Sequence, residues 1–253
     1  MARASANTVL EGVSPQLMQE ITDVIYADFQ ARLAASGYSV RPFSELLANE
    51  SFRKVNTKPS PFETGKPLPI LTNANALIFA PSGQKLRLFA AQGAGVQGFG
   101  WSSPEAGFSA AAAKTGTPII DVDYVVTFSY FDGYSGRSSA SISAGQAISV
   151  HRGSMLNLTK GEGGTFSNNQ GSIAFASEIT SGQQFATVEK EGKSSVEVAG
   201  EALAVGAAVL LGGGTRTRNT YVYRADPAKY KSAVVDSLVH ANATLTSKMA
   251  SLR

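Results

Sequence analysis

The chain has 253 residues, enough to bury a sizeable core in one large domain or two small ones. Its net charge is +3 and its 22 Lys and Arg residues are scattered, which argues against a nucleic-acid-binding protein. The chain has no cysteine, which excludes disulfides, thiolate catalysis and cysteine-based metal sites. No segment has the roughly 18 consecutive apolar residues of a membrane helix.

The clearest predicted helix begins at Ser14-Pro15 and ends before Gly37. Serine is a favoured N-cap, proline fits the first turn, and glycine supplies a C-terminal stop. The predicted apolar face of this helix is made of Leu17, Ile21, Val24, Ile25, Phe29 and Leu33. A short strand over 38–43 and a second, shorter helix capped by Ser44 are predicted to follow.

The next part of the chain is predicted to be mostly loop and short strands. Four prolines between 56 and 69 predict a surface loop, because proline cannot donate to a strand ladder. Residues 76–80 and 85–89 are predicted to be two strands around a Pro-Ser-Gly turn. Ser103 is predicted to cap a short alanine-rich helix over 104–114.

The middle of the chain predicts three long strands, over 119–131, 138–157 and 171–188. The first is β-branched and aromatic, and the other two alternate small residues with Ser and Thr. The segment 160–170 is rich in Gly and Asn, so the last two strands are predicted to form a long hairpin over 138–190. Strands with so few chemically active groups favour a role in structure or assembly.

The C-terminal part predicts a buried or protein-contacting helix over 196–211, a strand over 220–223 and a final helix that begins at Asp226-Pro227. The apolar face of that final helix is Tyr230, Val234, Leu238, Leu245, Met249 and Leu252. The sequence therefore predicts a single α+β domain spanning 1–253. Its antiparallel or mixed sheet has long central strands flanked by N- and C-terminal amphipathic helices.

Two glycine-rich segments and one tryptophan are candidate binding elements. Gly93–Gly98 matches the G-x-G-x-x-G pattern of dinucleotide-binding proteins, but Gly100 and Pro104 argue against the helix that must follow. Arg216 and Arg218, just after a triple glycine, could bind an anion or a partner, although a helix stop followed by a solvated strand is the favoured interpretation. Trp101, the single tryptophan, could anchor a partner or a bilayer surface, or pack within its own loop.

Catalytic groups are sparse in this sequence. Asp121 and Asp123 share a face of the first long strand, an arrangement that can hold a metal ion or a shared proton or simply form a polar strand face. His151 and His240 are the only histidines, and no nucleophile-elbow motif accompanies them. We therefore predict no catalytic residue, no metal site and no cofactor.

The order of elements resembles the envelope domains of the CsgG and TolB amino-terminal type. The similarity rests on an amphipathic helix, a strand ending in Val40-Arg41-Pro42-Phe43, a second helix, and a strand over 122–128 leading into longer strands. It implies a helix-flanked mixed sheet that serves secretion or envelope assembly. The lipidated cysteine of the secretion-channel members is missing from this chain.

These features predict a non-enzymatic bacterial envelope or cell-surface protein that acts in assembly or secretion through protein–protein contacts. The expected location is the periplasm or cell surface, after removal of a signal peptide. The expected partners are proteins, with a homo-oligomer favoured, a membrane surface as a further option and no nucleic acid. The alternatives are a membrane-active, pore-forming protein that uses the 138–190 hairpin and a nucleotide-binding enzyme that uses Gly93–Gly98.

Overall fold

The computed structural model describes residues 3–64, 75–88, 103–135, 140–161, 170–191 and 216–252. The helices within these ranges are α1 (Pro15–Ala35), α2 (Phe43–Ala48), α3 (Glu50–Arg53), α4 (Pro104–Thr115) and α5 (Pro227–Ser251). The strands are β1 (Arg3–Glu11), β2 (Phe62–Glu63), β3 (Leu77–Ile78), β4 (Ile119–Asp123), β5 (Val126–Ser135), β6 (Ala140–Val150), β7 (Met155–Thr159), β8 (Gln170–Ala174), β9 (Ile179–Ser181), β10 (Ala186–Lys190) and β11 (Arg216–Ala225). The predicted α+β class is confirmed. None of the described helices combines the length and the apolar character that a bilayer crossing requires.

The described residues fall into two compact units. Unit 1 draws on Met1–Ser14, Val126–Ser149 and Thr180–Ser237, and unit 2 on Pro15–Val125, Val150–Ile179 and Leu238–Arg253. The first part of helix α5 therefore belongs to unit 1 and the rest to unit 2.

Unit 1 contains two three-stranded sheets. In the first, β11 is central and pairs parallel with β1 and antiparallel with β10, so this sheet is mixed, as predicted. The second has the order β5-β6-β9. The ring of Tyr223 on β11 is fully buried and meets the ring of Phe128 on β5 edge-on, with 5.4 Å between centroids.

Polar side chains link the two sheets of unit 1. The hydroxyls of Tyr221 and Tyr223 donate to the carbonyl oxygens of Ile142 and Gly145 on β6, at 3.1 and 3.0 Å. Burial, together with the neighbouring Tyr221 and Tyr130, raises the pKa of Tyr223 to about 12. The hydroxyl of Tyr223 therefore remains a neutral donor at physiological pH, as its hydrogen bond to Gly145 requires.

Unit 2 is built around the antiparallel sheet β4-β7-β8 and its helices. The buried face of α1 consists of Ile21, Ile25, Phe29 and Leu33, four of the six residues predicted. Val24 is instead exposed. Helices α3 and α4 and strand β4 share an apolar cluster formed by Phe52, Val55, Phe108, Ala111, Ala112 and Ile119.

A buried polar network joins α1, α5 and the end of β4 inside unit 2. The side chain of Asn242 on α5 is fully buried. Its Oδ1 accepts a hydrogen bond from the hydroxyl of Tyr124, and its Nδ2 donates to the carbonyl oxygen of Ile25 at 3.0 Å and to Asp28 at 2.8 Å. Arg32 in turn pairs with Asp28 at 2.7 Å. Burial and the nearby carboxylate of Asp28 raise the pKa of Tyr124, so its hydroxyl keeps its proton.

The three predicted long strands are each interrupted in the structure. The first breaks at Tyr124-Val125, where Val125 bonds through its backbone to His151 and to the Ser154 hydroxyl. The second breaks at residues 151–154, so that β6 pairs beside β5 while β7 pairs between β4 and β8. In place of one hairpin over 138–190, the structure has a shorter antiparallel β7–β8 pair that flanks the predicted 160–170 break.

Several local predictions are also wrong. Residues 38–42 form no strand, and α2 begins at Phe43 after Pro42, which leaves Ser44 inside the first turn. The segments 76–80 and 85–89 are predicted to be two strands around one turn, yet β3 pairs with β2 and Leu86 forms only an isolated bridge to Lys58. Both partners come from the proline-rich segment 56–69. Strand β1 was not predicted, because its strand character comes from long-range pairing with β11.

Candidate functional site

The end of strand β5, residues 130–134, is exposed on both of its faces. We call these five residues the β5 tip. Tyr130, Phe131 and Tyr134 expose 55%, 48% and 65% of their surface, although successive residues of a strand point to opposite sides. A strand in a folded sheet normally buries one face, so large aromatic side chains exposed on both are a feature that folding alone does not require.

Strands β5 and β6 carry little charge around the β5 tip. Among the described residues of β5 and β6, Asp132 is the single charged side chain. The ring of Tyr130 lies against Gly145, where a Cβ atom would overlap it. A shallow depression of about 240 Å³ adjoins the tip, and it is lined by Ala4, Gly133, Tyr134, Ala140, Ser141 and Ile142. Exposed aromatic side chains beside an uncharged depression are typical of a protein-contact surface.

The second candidate is the carboxyl pair Asp121 and Asp123 on β4. The register of the sheet places Asn157 on β7 opposite Asp121, and Ser172 on β8 opposite Asn157. Asp121 hydrogen-bonds to Asp123 and to Asn157, while its Oδ2 is buried and has no hydrogen-bond partner among the described residues. The predicted shared face of the two carboxyls is therefore confirmed, and Asn157 is a member of the group that the spacing of the aspartates did not predict.

The electrostatics of this pair keep one proton on Asp121, which hydrogen-bonds to Asp123. Burial is the largest cause that raises the pKa of Asp121 well above its usual value, and the charge of Asp123 and their hydrogen bond raise it further. The hydrogen bond from Asn157 opposes the rise. Two carboxyls in contact disfavour double ionisation, so the proton stays with the buried Asp121. Within the described ranges, no group of three or more His, Asp or Glu side chains is placed to hold a metal ion.

We expect Asp121→Asn to change how stability depends on pH. The folded state holds the Asp121 proton more tightly than the unfolded chain, whose usual pKa is 3.8. The stabilisation from that proton is complete below pH 3.8 and is lost as the pH rises through the raised pKa. The neutral amide does not titrate, so the variant should gain stability over the wild type with rising pH, by up to about 1.4 kcal/mol per pH unit. Urea unfolding at a series of pH values measures this difference.

A second variant separates the two causes of the raised pKa. Asp123→Asn removes the neighbouring charge and leaves Asp121 buried, so its pH profile should be shallower than that of the wild type but not flat. Parallel profiles for the wild type and Asp121→Asn would show that Asp121 has the same pKa in the folded and unfolded chain.

The two histidines take no part in either candidate. His151 lies in the turn between β6 and β7, where its Nδ1 accepts a hydrogen bond from the backbone of Gly153 at 3.0 Å. Its Nε2 lies 3.6 Å from Glu178. His240 is on the exposed side of α5. The role of His151 is thus to shape the turn that separates β6 from β7.

Most of the predicted contact residues lie outside the described residues. These are Trp101, the Gly93–Gly98 motif and the apolar segment 196–211. The backbones of Arg216 and Arg218 pair with Arg3 and Ser5 at the start of β11, and the side chains of both arginines lie outside the description. In the sequence, the aromatic residues of the β5 tip indicate only a β-strand. Their signal was present, since Tyr130 and Phe131 are adjacent and cannot both face one core.

Comparison with known proteins identifies no relative: no family model, curated protein or solved structure matches the chain.

Proposed function

We propose that this chain is a non-enzymatic protein of the bacterial envelope or cell surface that acts through protein–protein contacts, with the β5 tip as its contact surface and a second copy of the chain as the partner. The observation that carries this proposal is the exposure of Tyr130, Phe131 and Tyr134 on both faces of one strand end. Buried aromatic side chains dominate the binding energy of protein interfaces.

The low charge of strands β5 and β6 favours a second copy of the chain as the partner of the β5 tip. The described residues of β5 and β6 carry one charged side chain, so two copies of this surface can meet with little repulsion. The described residues of β5 and β6 offer a basic or acidic partner almost no opposite charge to pair with. Two-fold pairing of one surface with itself is also the commonest geometry of soluble oligomers. We therefore expect the tips of two chains to contact each other.

Replacing Phe131 and Tyr134 together with serine should weaken self-association by about 100-fold or more, because two aromatic anchors are removed. Both side chains are largely exposed, so the fold should be retained. Sedimentation analysis over a range of concentrations measures the change, and circular dichroism checks the fold.

The matched control is Leu252→Ser, which removes an exposed apolar side chain 67% accessible in unit 2. This variant should associate as the wild type does. If the double variant and the control both keep the wild-type dissociation constant, the β5 tip is not the contact surface.

The compartment needs a separate experiment. Support for an envelope location comes from the low fraction of charged residues, 16%, and from the Ser- and Thr-rich strands. A tagged chain expressed in its native host from the intact open reading frame should fractionate with the periplasm or cell surface. Recovery in the cytoplasmic fraction would overturn the location and leave the contact surface to be judged by sedimentation.

A further inference from the structure

The guanidinium of Arg87 packs against two aromatic rings of unit 2, those of Phe52 and Phe43. Its guanidinium carbon is 4.1 Å from the centroid of the Phe52 ring and 5.8 Å from that of Phe43. Phe52 is 2% exposed and belongs to the cluster shared by α3, α4 and β4. The guanidinium therefore stacks on a buried aromatic ring, and this cation–π contact fixes its orientation.

The hydrogen-bonding capacity of Arg87 is largely unused. Its Nη1 donates to the carbonyl oxygen of Lys85 at 3.2 Å. Its Nε is buried and has no hydrogen-bond partner within the described part of the chain, and its Nη2 makes no hydrogen bond there either. Guanidinium N–H groups donate strong, charge-assisted hydrogen bonds to carboxylate and phosphate oxygens, and Nη2 is available to make one.

The charge of Arg87 has no counter-ion in the described part of the chain. Partial burial lowers the pKa of Arg87, yet arginine remains protonated in proteins. No ion pair to Arg87 exists among the described residues. The flanking segments 65–74 and 89–102 contain no Asp or Glu. A partly buried charge without a counter-ion loses some of its hydration, and an anion from outside the chain would offset that loss.

We propose that Arg87, supported by the rings of Phe43 and Phe52, is a binding site for a small anionic ligand that presents a carboxylate or phosphate group. The site lies in unit 2 and is separate from the contact surface proposed above.

Thermal unfolding of the full chain in inorganic phosphate and in acetate, each against chloride at equal ionic strength, tests this site. An anion that binds the folded chain should raise Tm by about 3–6 °C at ten times its Kd. Arg87→Met keeps the apolar stem on the rings and removes the charge, so the rise should vanish in that variant. The matched control Arg152→Met replaces an exposed arginine of the same unit and should keep the full rise.

A spectroscopic measurement guards against loss of fold in the Arg87 variant. Titration of the wild type with phosphate or acetate should move the side-chain Nε–H signal of Arg87, and that signal is assigned by its absence in Arg87→Met. A response to one anion alone identifies which group the site prefers. No movement with either anion, or an equal rise in Tm for the Arg87 and Arg152 variants, would overturn the site.

Discussion

Replacing Asn242 with leucine should lower the free energy of unfolding by about 3 kcal/mol. Leucine has the same branched skeleton with four side-chain heavy atoms, so the loss comes from hydrogen bonds rather than from a cavity. The Tyr124 hydroxyl and the Ile25 carbonyl oxygen both lose their bond to the amide, and a buried polar group left without its partner costs about 1–3 kcal/mol. Urea unfolding measures the change.

Two further variants show whether the Asn242 effect comes from the network. Thr244→Ala, on the exposed side of the same helix, should change stability by less than about 0.5 kcal/mol. Tyr124→Phe removes the hydroxyl of the partner, so combining it with Asn242→Leu should cost less than the sum of the two single variants. Additive effects would mean that the two side chains stabilise the fold independently.

Gly161→Ala should destabilise the chain by about 2 kcal/mol, because a Cβ at this position overlaps the backbone of Ala113 in α4. The helix backbone cannot move aside without disturbing its packing against the apolar cluster of unit 2. Gly171→Ala is the matched control, since a Cβ on that strand residue meets no atom within 4 Å. Thermal or urea unfolding of both variants measures the difference, and equal stabilities would show that α4 does not lie close to Gly161.

Local chemistry predicted the helix ends well. Ser103 caps α4 by accepting from the backbone of Ala106, and Asp226 caps α5 by accepting from the backbones of Ala228 and Lys229. Gly37 stops α1 with a positive φ of 81°. These signals act within four residues, so the sequence displays them directly.

The strand breaks could not be predicted, because distant parts of the chain cause them. Nothing in the β-branched run over 119–131 marks an interruption. The strand stops where the hydroxyl of Tyr124 meets Asn242, 118 residues away, and where Val125 bonds to Ser154. Gly161 is a similar case. The Gly- and Asn-rich composition of segment 160–170 indicates a turn, whereas the structure shows that Gly161 packs closely against α4.

Of the candidate sites, the aspartate pair could be predicted from the sequence, whereas Arg87 and the β5 tip could not. The spacing of Asp121 and Asp123 was enough to predict a shared face, since alternation along a strand is a local property. The unpaired Arg87 and the exposed β5 tip depend on what the rest of the fold covers. The sequence shows that Arg87 and the tip residues are present, but exposure and pairing follow only from tertiary packing.

The proposed self-association is tested most directly by cross-linking at the β5 tip. The chain has no cysteine, so Asp132→Cys places a single thiol on the tip and leaves its three aromatic residues in place. With a short bismaleimide, this variant should form a covalent dimer of twice 26.4 kDa, and Leu252→Cys should remain monomeric. A monomer only from Asp132→Cys, or equal dimer yields from both variants, would contradict contact between two β5 tips.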